Sequence, residues 1–62
     1  METLSRIQNL VELMSIDTLK VQKGNRSASI RARKHAQEVK VLIGIFRKEI
    51  LEEIKKHDDT EN

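Results

Sequence analysis

Lys20-Val21-Gln22-Lys23-Gly24-Asn25-Arg26-Ser27-Ala28 divides this 62-residue chain into two helical halves. Its centre, Lys23-Gly24-Asn25, is the only strong turn signal present. Glycine readily takes the left-handed conformation needed just past a helix C-terminus, and asparagine is a favoured N-cap for the helix that follows. Lys20 and Lys23 stand in or beside the last turn of the preceding segment, where the helix dipole favours cations. So short a connection makes two helices antiparallel neighbours.

Working back from the turn, residues 3–22 read as one helix. Leu4, Ile7, Val11 and Met14 recur at spacings of three and four, Val21 continues the register and Leu10 widens the stripe. Ser5 followed by Gln8 is a weak capping box, so the start is expected at Thr3 or Ser5. Leu13, Ile16 and Leu19 fall on a second face, as in a helix that touches more than one neighbour.

Working forward, residues 26–57 read as a longer helix with the stripe Ala32, Ala36, Val39, Ile43, Phe46 and Ile50. Small residues near the turn (Ala28, Ala32, Ala36) let the helices approach there. Val41, Leu42 and Ile45 point away from that stripe, so the middle of this helix is apolar nearly all round and asks for burial on all sides. Gly44 in this interior is either a close-packing point or a tolerated defect. Folding at Gly24-Asn25 sets Leu4 opposite roughly Ile45, and residues 47–57 overhang the first helix by about 15 Å while still carrying Ile50, Leu51 and Ile54. The polar end, Asp58 to Asn62, is expected to fray.

The fold class is therefore all-α: a single two-helix hairpin, self-associating into a four-helix or larger bundle. The composition agrees, with no Pro, two Gly, one Phe and neither Trp nor Tyr. A chain this short buries too little surface to be comfortable alone, and the absence of Cys removes disulfides as a remedy. A symmetric dimer is expected, with a tetramer as the next option. Its interface would draw on Leu13, Ile16, Val41, Leu42, Ile45, Ile50, Leu51 and Ile54.

Charge is sorted along the chain. Residues 20–40 hold seven basic side chains against the single acid Glu38, a net +6, while residues 1–19 and 41–62 each carry −2. Pooled positive charge in a folded chain suits a polyanion. Arg26, Arg33, Lys40 and Arg47 repeat every seven residues as a stripe beside the apolar seam, Arg31 and Lys34 lie outward, and Lys20 and Lys23 join from the first helix. Asn25, Ser27, Ser29 and the backbone amides of the second helix's first turn add donors for phosphate oxygens. The sole aromatic, Phe46, lies on the core stripe, which disfavours base stacking and favours backbone contact with a duplex. No recognition helix stands out, so sequence-specific readout has no support.

Other classes find little footing. Neither nucleophile–base spacing nor a Gly-rich phosphate loop is present, and Glu49, Glu52 and Glu53 pair naturally with Lys48, Lys55 and Lys56 along one helix, so no enzyme is expected. His35 and His57 lack ligand spacing, which leaves no metal and no cofactor. His35 borders the core face, and His57 complements a helix C-terminus. No run is long enough to span a membrane and the start lacks a secretory pattern, so a soluble cytoplasmic protein is expected.

Lys23-Gly24-Asn25-Arg26-Ser27-Ala28, then Arg31-Ala32-Arg33-Lys34, then Phe46-Arg47-Lys48-Glu49-Ile50 resemble the bacterial linker-histone-like proteins, a family that includes the chlamydial histone-like nucleoprotein. The similarity covers about residues 19–51. It implies a nucleoid-associated protein that compacts DNA with little sequence preference, and it points to Lys23, Arg31, Arg33, Lys34, Arg47 and Lys48. The long Lys/Ala-rich tail of the chlamydial members is missing and the chain ends acidic instead, which implies weaker binding and reliance on oligomerisation. The expected partner is duplex DNA. The alternatives are RNA held by the same charges, or a helical protein-interaction module.

Overall fold

The computed structural model describes the backbone of residues 1–61 and the side chains of residues 1–57. Two helices make the molecule: α1, Glu2–Gln22, and α2, Arg26–Glu61. They pack as an antiparallel hairpin about 57 Å long and 14 Å across.

The turn is built as its residues dictate. Gly24 sits at φ 90 and is the only positive-φ glycine. Its N–H donates to the Val21 carbonyl at 2.8 Å, and the Asn25 N–H donates to the Lys20 carbonyl at 3.0 Å. Those two bonds form a Schellman motif, which satisfies carbonyls that α1 leaves open at its end. The Asn25 side-chain oxygen then accepts from the Ala28 N–H at 3.0 Å, capping α2. One residue thus closes one helix and opens the next.

The seam between the helices follows a strict alternation. On α1 the covered positions are Thr3, Ile7, Leu10, Met14 and Asp17; on α2 they are Ala28, Ala32, His35, Val39, Leu42, Phe46 and Glu49, with Ser29 also partly covered beside the turn. Steps of four and three average 3.5 residues, the spacing of a coiled-coil seam. Ala28, with no exposed surface, sits beside the turn, where its small side chain lets the helices meet.

This seam differs from the sequence expectation in one systematic way. Leu4, Val11, Ile43 and Ile50 are 40–47% exposed, and Ala36 is exposed with them. They occupy the position next to the seam rather than the seam itself. Leu42, expected to face another chain, is instead 6% exposed and packs within the hairpin. The reason is that apolar residues fill two adjacent positions of the helical repeat, so hydrophobicity alone does not choose between them. The choice falls to the register in which Ala28, His35 and Leu42 follow at intervals of seven, with Asp17 facing them from α1.

The helix ends also move. α1 begins at Glu2, with Met1 as N-cap and no side-chain cap. Ser5 does not cap: its Oγ donates back to the Met1 carbonyl at 3.3 Å. α2 continues to Glu61 because nothing after Gly44 breaks a helix; the residues beyond His57 are polar but neither Gly nor Pro. The expected fraying falls, for Asn62, outside the described residues. Gly44 has no neighbouring atom within 4 Å of where a Cβ would stand, so the hairpin itself gives no packing reason for it.

The hairpin buries little. Ala28 and Leu42 are its only buried hydrophobic residues among those described, and its accessible surface is 5342 Å². A compact monomer of 7.2 kDa would expose roughly 4,100 Å². The radius of gyration, 16.3 Å, likewise exceeds the roughly 10.6 Å of a compact chain this long.

Candidate nucleic-acid interface

The Schellman turn and the Asn25 cap hold the ends of the two helices together, and with them the basic side chains on either side. Lys20 and Lys23 come from α1 and the turn, and Arg26, Arg33, Lys34 and Lys40 from the first half of α2; all are exposed. Arg47 and Lys48 are exposed further along α2. None of these eight pairs with a carboxylate among the described residues. The hairpin end is therefore a set of free cations in solvent, able to exchange water for phosphate oxygens.

The cations form rows. Arg26, Arg33, Lys40 and Arg47 share one register position and extend over about 32 Å of α2. That row borders the uncharged strip of Ala36, Ile43 and Ile50. Lys34 and Lys48 share a position with Val41 on the opposite side of α2, beyond the row that holds Arg31. Arg31 stands on the other side of the seam, in line with Glu38 and Ile45.

Arg31 is also the exception chemically. Its Nε–H donates to Asp17 Oδ1 at 3.3 Å, across the helix pair. Asp17 is 5% exposed, the one buried charged residue among those described. His35, one turn after Arg31 on the same face of α2, brings Nδ1 to 3.9 Å from Asp17 Oδ2, beyond hydrogen-bond reach. That Nδ1 is buried without a partner among the described residues. Folding thus carries an acid from the acidic flank into the middle of the cationic window, where sequence counting keeps it apart. The signal was present: Asp17 stands seven residues after Leu10 and three after Met14, inside an apolar pattern, where an unpaired acid would not be tolerated.

Other expected donors are partly committed elsewhere. The Asn25 oxygen is taken up by the cap, leaving its amide N–H groups. Ser29 Oγ donates to the Arg26 carbonyl at 2.6 Å. Phe46 is half-buried on the seam, where it serves packing. Beyond it, Phe46, Arg47, Ile50 and Leu51 line a groove of about 290 Å³ that lies open to solvent. The expected pairing of glutamates with lysines on α2 is represented by Lys56 and Glu53 at 3.7 Å.

Among the described residues no group of three His, Cys, Asp or Glu could hold a metal ion, and no helix is long and apolar enough to cross a membrane. No curated protein and no solved structure matches the chain significantly. The model of one family, described as histone H1-like protein Hc1, matches residues 1–56. That span takes in all of α1, the turn and the whole basic window, well beyond the residues 19–51 on which the resemblance rests. The chain belongs to the histone H1-like protein Hc1 family, a family of histone-like, DNA-binding nucleoid proteins.

Proposed function

We propose that this hairpin binds duplex DNA through phosphate contacts at its turn end, with little sequence preference, and bridges duplexes as a dimer. The observation that carries the proposal is the set of exposed cations without carboxylate partners around the Asn25 cap: Lys20, Lys23, Arg26, Arg33, Lys34 and Lys40. Such side chains gain by releasing the counterions condensed on a duplex. Arg47 and Lys48 extend the contact along α2, and a row about 32 Å long matches roughly one helical repeat of DNA.

Self-association supplies the second duplex. The hairpin exposes about 1,200 Å² more than a compact monomer of its mass, against about 800 Å² per partner in a standard interface. Of the two flanks beside the seam, one carries Arg6, Lys20, Arg31, Glu38 and Glu52 along with Leu13 and Ile45. The other carries Leu4, Val11, Thr18, Ala36, Ile43 and Ile50 and no carboxylate, lysine or arginine. The uncharged flank suits a second copy of the chain. Ile16 and Val41 lie beyond the charged flank, where a tetramer would close, and Leu51 and Ile54 sit on the overhang.

Charge favours one orientation. Aligned tips would bring two +6 windows together, whereas opposed hairpins set each window beside the acidic overhang of its partner. Opposed tips reach two duplexes. The test is a bridging assay in which duplex DNA fixed to beads must retain a second, free duplex when the protein is added. Retention that disappears in Ile43→Ser, a variant still able to bind one duplex, supports the proposal. Binding without bridging overturns the dimer, and preferential retention of structured RNA overturns the choice of DNA.

A further inference from the structure

We infer that Asp17 is a positioning residue for DNA binding: it holds Arg31 so that the rest of the guanidinium is presented to phosphate. The inference rests on the phosphate-binding reading above. Its starting point is an apparent contradiction, since the single buried acid among the described residues lies within the surface meant to meet a polyanion. By charge alone, Asp17 weakens that surface.

The geometry offers a use for it. Asp17 stays covered while Arg31, 47% exposed at its side chain, reaches outward from it. The pairing consumes only the Nε–H of a fork that has five donors. The terminal nitrogens have no partner among the described residues. An arginine free in solvent loses side-chain entropy when it takes hold of a phosphate. An arginine already fixed at its Nε loses less, and its planar fork arrives oriented for a bidentate grip. Because Asp17 belongs to α1 and Arg31 to α2, the aim of the fork depends on the hairpin being closed. His35 stands on the side of the other carboxylate oxygen, its Nδ1 3.9 Å from Asp17 Oδ2.

The two explanations differ in sign. Asp17→Asn removes a negative charge from a DNA-binding surface, so simple electrostatics requires tighter binding. Positioning requires weaker binding, by about five-fold, the size of a modest coupling between neighbouring groups. It also requires the slope of log affinity against log salt to become shallower by about 0.9, the share of a single phosphate. Asp17→Leu fills the seam with an apolar side chain, keeps the hairpin closed and must show the same two effects, which decides the question even where the Asn variant folds poorly. In an Arg31→Lys background the Asp17 substitutions must add nothing.

Binding to random-sequence duplex is measured across a salt series with the full chain, alongside helicity. Weaker binding with a shallower slope, absent in the Arg31→Lys background, supports the inference. Equal or tighter binding overturns it, as does a loss of thermal stability with an unchanged slope. Wild-type protein that ignores duplex DNA at every salt concentration overturns the functional reading, and this inference with it.

Discussion

Asp17 and Arg31, on different helices and 14 residues apart in sequence, meet at 3.3 Å beside the turn of the hairpin. The pair sits where the small Ala28 and Ala32 side chains bring the helices close, and a buried polar pair at such a point discriminates between registers. Sliding α2 by one residue against α1 would bury a carboxylate with no partner. The pair therefore ties together the seam, the turn and the basic surface.

Gly24 and Asn25 should each be costly to replace. Gly24→Ala puts a Cβ into a left-handed conformation and should lower stability by about 1–2 kcal/mol. Asn25→Ala removes the cap on Ala28 and should cost about 1 kcal/mol. Urea denaturation at one fixed protein concentration checks both, since association makes apparent stability depend on concentration.

Gly44→Ala should do the reverse. Nothing lies within 4 Å of the new methyl group, so the helix should gain about 1 kcal/mol from the better residue. A loss of stability in the same denaturation experiment would mean that another chain packs on Gly44.

Leu42 and Ile43 are neighbours in opposite settings, the first buried inside the hairpin and the second exposed beside its seam. Leu42→Ala should destabilise the hairpin itself, by about 2–3 kcal/mol for a buried leucine. Ile43→Ser should leave helicity nearly unchanged and shift the mass in solution from dimer to monomer. Light scattering and circular dichroism together separate these outcomes.

Charge reversal at the tip should abolish DNA binding without unfolding the chain, provided the right residues are chosen. Arg31→Glu would set a second carboxylate against Asp17 and disturb the fold. Arg26, Arg33 and Lys34 have no such partner, so reversing these three to Glu is the clean experiment. Binding that survives it in a mobility-shift titration would move the site elsewhere.

The hairpin was legible because its turn is written in two residues with distinct backbone chemistry, and Gly24 and Asn25 behave as that chemistry demands. The seam was only half legible. Leu42 and Ile43 are adjacent and equally apolar, as Leu10 and Val11 are on α1, so periodicity marks a broad face without saying which edge is covered. Asp17 and His35 decide it; His35 borders the core face in the sequence, but Asp17 looks like a surface residue when polarity alone is read. The exposed cationic surface was legible as a charge pattern, since charged side chains without a partner stay in solvent. The pairing of Arg31 was not, because Asp17 lies on the other helix.

If the turn end of the hairpin holds duplex DNA by its phosphates, affinity must fall steeply as salt rises. With about five phosphates engaged, a plot of log affinity against log salt should be straight with a slope near −4.5. An affinity that barely changes between low and physiological salt would contradict the account.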